Sequence, residues 1–126
     1  IDTLWKIKME DISINLETRV SSYLNFLISV KETRTYSEIA NQCEIQSPGK
    51  IRKISQILLK ITENDIINKK PIRTAVIVSK INQINGIRIP HEDFFLILSK
   101  NKIYNGENNI KSYTKFHKKL INELFN

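Results

Sequence analysis

The chain has 126 residues and a mass of 14.7 kDa, with a formal net charge of +7, a length that suits one domain with a real core. One cysteine, Cys43, and two histidines, His91 and His117, exclude a disulfide scaffold and the usual structural zinc sets. The longest apolar runs, 75–78 and 94–98, fall far short of the roughly 20 residues that cross a bilayer, so no membrane partner is expected.

The charge is unevenly placed. Residues 1–49 carry five basic and seven acidic side chains, whereas residues 50–126 carry fifteen basic and six acidic. With 23 Ile, 13 Asn and fifteen Lys against five Arg, the composition fits an AT-rich coding sequence, which discounts the total charge. Its distribution therefore carries the argument, and it points to a polyanionic partner. No basic leader with an apolar stretch and a small-residue cleavage site opens the sequence, and with a lone Cys the expected compartment is the cytoplasm.

Taken in order, residues 1–15 read as a strand or arm. Leu16, Val20, Tyr23, Leu24, Leu27 and Ile28 then fall at 3.6-residue spacing and predict a helix over 16–31. Tyr36, Ile39, Ala40 and Cys43 predict a short helix over 36–44, capped by Thr35 or Ser37. Pro48 is expected at the first position of the next helix, over 49–62, where Ile51, Ile54, Ile57, Leu58 and Ile61 make an apolar stripe and Lys50, Arg52, Lys53, Gln56 and Lys60 lie off it. A basic amphipathic helix after a short helix and a tight turn is the order a helix-turn-helix requires. Ile72 to Ser79 reads as a strand, Asn85-Gly86 as a hairpin turn and Ile87 to Ile89 as the returning strand, giving a hairpin over 72–89. Two helices follow within 91–125, one opened by His91, Glu92 and Asp93, the other running from Asn109 to Phe125. The expected architecture is a single α+β domain over 1–126, mostly helical. Helices over 16–62 include the helix-turn-helix of a winged-helix-like core, and a small hairpin and C-terminal helices follow.

Thr35-Tyr36-Ser37-Glu38-Ile39-Ala40 followed by Pro48-Gly49-Lys50-Ile51-Arg52-Lys53-Ile54 resembles the DNA-binding helix-turn-helix of the alkylguanine-DNA alkyltransferases and alkyltransferase-like proteins. The resemblance covers about residues 35–78. In that family a Tyr opens the first helix of the motif, a Pro-led turn precedes the recognition helix, and an Arg four residues after the Pro intercalates into the duplex. Tyr36, Pro48 and Arg52 fall on those positions, with a longer turn. The family's acceptor motif, Pro-Cys-His-Arg, is absent, because Val76 or a neighbour stands where the acceptor Cys belongs. Without that thiol and its activating His, alkyl transfer has no nucleophile.

The resulting expectation is a non-catalytic double-stranded DNA-binding domain with no cofactor. Its candidate contacts are Tyr36 and Ser37 at the first helix, Lys50, Arg52, Lys53 and Gln56 on the second, and Arg73, Lys80 and Arg88 flanking the strands. Tyr36 has two open readings, phosphate contact or core aromatic. Two rival classes stay open: a protein-interaction module in which the winged-helix scaffold binds a protein partner through the apolar and aromatic residues near Phe94 and Phe95, and a small nuclease or toxin-like domain drawing on His91, Glu92, Asp93, Glu107 and His117.

Overall fold

The computed structural model describes residues 16–81 and 83–126, so the strand or arm expected over 1–15 lies outside the described residues. The described residues are mostly helical with two small two-stranded sheets among them, an α+β architecture. Helix α1 spans Leu16–Val30 and buries Val20, Leu24 and Leu27, the face its periodicity predicts. Strand β1, Arg34–Thr35, runs directly into α2, Tyr36–Gln42. Here Thr35 is the cap: its hydroxyl accepts from the Glu38 amide while the Glu38 carboxylate accepts from the Thr35 amide. This reciprocal pair satisfies two of the donors that a helix start leaves open.

Helix α3, Lys50–Ile67, is five residues longer than expected at its C-terminal end. Its N-cap is Gly49 at φ 73°, a left-handed conformation that Gly adopts at least cost. Pro48 therefore precedes the helix instead of opening it, and the Ser47-Pro48 peptide is cis. The face that α3 buries is Ile54, Leu58, Ile61, Thr62 and Asp65, whereas Ile51, expected in the stripe, is 43% exposed.

Asp65 explains the largest departure from expectation. A carboxylate 1% exposed must be paired or heavily hydrogen-bonded, and the chain meets that demand by winding Arg73–Val76 into a 3-10 helix where an extended strand was expected. The Arg73 amide and its Nε and Nη2 atoms all donate to Asp65, and Nη1 donates to Ser21 Oγ and Asn25 Oδ1 on α1. In the same turn the Thr74 hydroxyl meets that of Thr62, which bonds back to the Leu58 carbonyl. Only Ile77–Val78 remain extended as β2, and they pair in parallel with β1, Arg34 opposite Ile77 and Thr35 opposite Val78.

The hairpin is correspondingly shorter than 72–89. It consists of β3, Gln83–Ile84, and β4, Ile87–Arg88, antiparallel about Asn85 and Gly86, both at positive φ as a type I′ turn requires. Helices α4, Glu92–Lys100, and α5, Ile110–Phe125, complete the chain. The Asn109 side chain caps α5 by accepting from the Ser112 amide.

Two apolar clusters result among the described residues. The first gathers side chains of α1, α2, α3 and β2, and the second is built from Ile72, Ile89, Phe94, Phe95, Leu98, Tyr104, Tyr113 and Leu120. Phe95 and Tyr113 stack at 4.2 Å between centroids, and Phe94 meets Phe95 edge-on. Ile121 and Leu124 of α5 touch both clusters.

Four helices end alike and without glycine. Lys31, Glu44, Lys69 and Lys102 have φ between 54° and 60°, and the amide after each reaches the carbonyl five residues before it, as in Glu32 to Leu27 and Ile45 to Ala40. Only three glycines occur in the sequence, so side chains occupy positions that glycine fills with less strain. Lys31→Gly, Lys69→Gly and Lys102→Gly are each expected to raise unfolding stability by about 0.5–1 kcal/mol, read from the urea midpoint; a uniform loss would contradict the assignment. Arg73→Ala, which strands the Asp65 carboxylate, is expected to cost about 3 kcal/mol. Arg73→Met combined with Asp65→Leu should recover most of that loss, and a double variant as unstable as the single one would refute the clasp.

Candidate nucleic-acid interface

At its N-terminal end α3 turns its apolar face inward through Ile54 and Leu58, which leaves Arg52, Lys53 and Gln56 exposed and Lys50 half-buried. Two of these cations also secure the segment between α2 and α3. Lys50 Nζ donates to Asn41 Oδ1 at 3.1 Å, and Lys53 Nζ donates to the Gln46 carbonyl at 2.9 Å. The connection runs over residues 43–49, longer than the three or four residues of a usual helix-turn-helix turn, and these lysine contacts help to order it. Arg52 projects from the first turn of α3, where backbone amides without intrahelical partners favour anions.

The other candidate contacts separate by environment. Lys80 and Arg88 are exposed, Arg88 on β4 of the hairpin, and Ser37 is half-buried. Tyr36 is 8% exposed, so its ring belongs to the core reading. Its hydroxyl accepts from the His91 amide at 3.1 Å, and its ring lies 3.9 Å from the His91 ring at an interplanar angle of 8°. Burial pushes the Tyr36 hydroxyl up to about 12, so it stays protonated and neutral. Arg73 departs furthest from its expected role as a backbone contact. Its half-buried guanidinium is engaged by Asp65, Ser21 and Asn25.

The residues proposed for the rival classes are placed apart or inward. Phe94 and Phe95 are 3% and 0% exposed, so these two rings belong to the core, while the adjoining Leu96 is 44% exposed. His91 stacks on Tyr36, Glu92 accepts from the Tyr113 hydroxyl, Glu107 holds Asn109, and His117 Nε2 lies 2.7 Å from the Ala75 carbonyl. Each has its own separate partner, and among the described residues no group of three His, Cys, Asp or Glu side chains converges as a metal site would require. Cys43 is buried, and burial pushes its thiol up to about 11, against the weaker pull of Arg19. It is therefore not the thiolate that nucleophilic chemistry needs.

Sequence reasoning missed one feature. Where β1, the hairpin and α5 meet, a cavity of about 480 Å³ is walled by Arg34, Glu38, Arg88, His117 and Lys118. Its residues come from distant segments joined by the parallel β1 and β2 pair, and a pairing of two residues on each side leaves no periodic signal. No helix among the described residues is long and apolar enough to cross a membrane.

Burial holds the pKa values of both His91 and His117 below 6.5, against opposing contributions from Asp93 and from the Ala75 carbonyl respectively. Below about pH 6.5 the unfolded chain takes up protons that the folded chain refuses, so stability present above that pH declines as the pH falls toward the folded values. The melting temperature is expected to drop between about pH 7.5 and about pH 5, and the drop should shrink in a His91→Phe, His117→Asn variant. A flat profile in the parent protein would contradict the burial of these rings. Compared with protein-family models, curated proteins and solved structures, the chain matches none.

Proposed function

We propose that the chain is a non-catalytic double-stranded DNA-binding protein of the cytoplasm, with α2 and α3 acting as a helix-turn-helix and the 83–88 hairpin as its wing. The observation that carries this reading is the exposure of Arg52, Lys53 and Gln56 at the start of an 18-residue helix whose other face is buried in the core. A buried face holds the helix, and the exposed cations are available to phosphates. Support also comes from the sequence: the resemblance to the alkyltransferase DNA-binding motif puts Arg52 at the position of the intercalating arginine, and the basic excess begins where α3 begins.

In this reading Arg52 enters the duplex or its groove, Lys53 neutralises a neighbouring phosphate, and Arg88 and Lys80 extend the contact from the hairpin side. Arg73 has no part in it, and Tyr36 contributes by fixing the start of α2 against His91. Phosphate neutralisation supplies most of the affinity, with little preference for sequence.

The test is a titration of labelled duplex across a range of salt concentrations. Arg52→Ala with Lys53→Ala is expected to weaken binding and to lower the slope of log affinity against log salt by about two, with the melting temperature little changed. Unchanged affinity and slope in the double variant would sink the proposal.

A further inference from the structure

The cavity between β1, the hairpin and α5 shares Arg88 with the proposed DNA face but lies outside the contacts of α3, and it carries a chemistry of its own. Its volume of about 480 Å³ falls in the range of about 300–1,000 Å³ that small-molecule sites occupy. Arg34, Arg88 and Lys118 stand in its wall against a single carboxylate, Glu38. That carboxylate is already committed to the Thr35 amide, which with the neighbouring cations keeps it ionised and below the usual carboxylate range. Arg34 shares its charge with Glu32 at 2.9 Å, yet the wall keeps an excess of positive charge. Apolar surface comes from Ile87 of the hairpin and Ile121 of α5.

His117 adds a defined polar group. The ring is 5% exposed and forms part of the wall. A carbonyl oxygen only accepts, so the 2.7 Å contact with Ala75 fixes the proton on Nε2 and leaves Nδ1 as an acceptor in the neutral ring. The cavity thus combines cations suited to a phosphate, apolar side chains suited to the faces of a flat ring, and a buried imidazole able to accept from an N–H or O–H.

We propose that this cavity is a binding site for a phosphomonoester carrying a flat ring, of mononucleotide size. The phosphate lies among Arg34, Arg88 and Lys118, where charge-assisted hydrogen bonds are strongest, and the ring lies between Ile87 and Ile121. Because the wall draws on β1, β4 and α5, an occupant joins the hairpin to the last helix and stabilises both by mass action.

The probe is adenosine 5′-monophosphate, titrated calorimetrically into the whole chain, with adenosine and inorganic phosphate as separate arms. The expected result is saturable one-to-one binding of the monophosphate, a raised melting temperature, and weaker binding of adenosine and of phosphate alone. Arg88→Glu with Lys118→Glu should weaken binding about tenfold or more, whereas Arg52→Ala with Lys53→Ala should leave it unchanged. That contrast separates this site from the DNA-binding reading, because either can fail alone. In the parent protein the His117 ring proton resonances should move on addition of the monophosphate, a readout that does not depend on how the charge-reversed variant folds. Absence of saturable binding, equal affinity for inorganic phosphate, loss of binding in the Arg52 and Lys53 variant, or an unmoved His117 signal would overturn the proposal.

Discussion

The Asp65 carboxylate, buried near the C-terminal end of α3, sets the terms for much of the chain around it. A charge in that position is tolerable only when another charge and several donors converge on it. Arg73 supplies them from the following segment and at the same time reaches Ser21 and Asn25 on α1. One guanidinium thereby ties α1, α3 and the 3-10 turn together. The direction of α3 is fixed at the end away from its basic residues, and the apolar contacts of Ile54, Leu58 and Ile61 carry that orientation along the helix. Exposed pairs such as Lys60 with Glu17 lie along the same interface and add little by comparison.

The same interaction clarifies what the positive charge is for. Arg73 is paired with the buried Asp65, and Arg34 is shared with Glu32. Neither belongs to an undifferentiated basic surface. The cations left facing outward on α3 are those at its first turn, together with Lys60 further along. A net charge of +7 is a weak argument for any partner, and the same charges sorted by exposure are a stronger one.

Much of the helical framework was legible in the sequence, because its signals are local. Val20, Leu24 and Leu27 mark one face of α1, Thr35 or Ser37 announces a cap that the structure assigns to Thr35, Asn85-Gly86 announces a turn, and Asn109 announces the start of α5. The rest depends on contacts between distant segments. Residues 72–79 have the β-branched composition of a strand, but the demand of Asp65 for a partner outweighs that propensity over 73–76. Ile51 matches the apolar stripe yet lies beyond the reach of the core, and the left-handed closures at Lys31, Glu44, Lys69 and Lys102 lack the glycine that usually signals them. For the candidate site, Arg52, Lys53 and Gln56 were readable from helical spacing. The inward placement of Arg73 and the stacking of Tyr36 on His91 were not, because neither partner is near in sequence.

The central claim is that the first turn of α3 and the hairpin form one face for duplex DNA. It is tested most directly by amide chemical shifts recorded while a short duplex of mixed sequence is added at low salt. The account predicts shifts concentrated at residues 50–56 and 85–88, with Arg73 and the second apolar cluster little affected. Shifts confined to α5, or none in any of these segments, would contradict it.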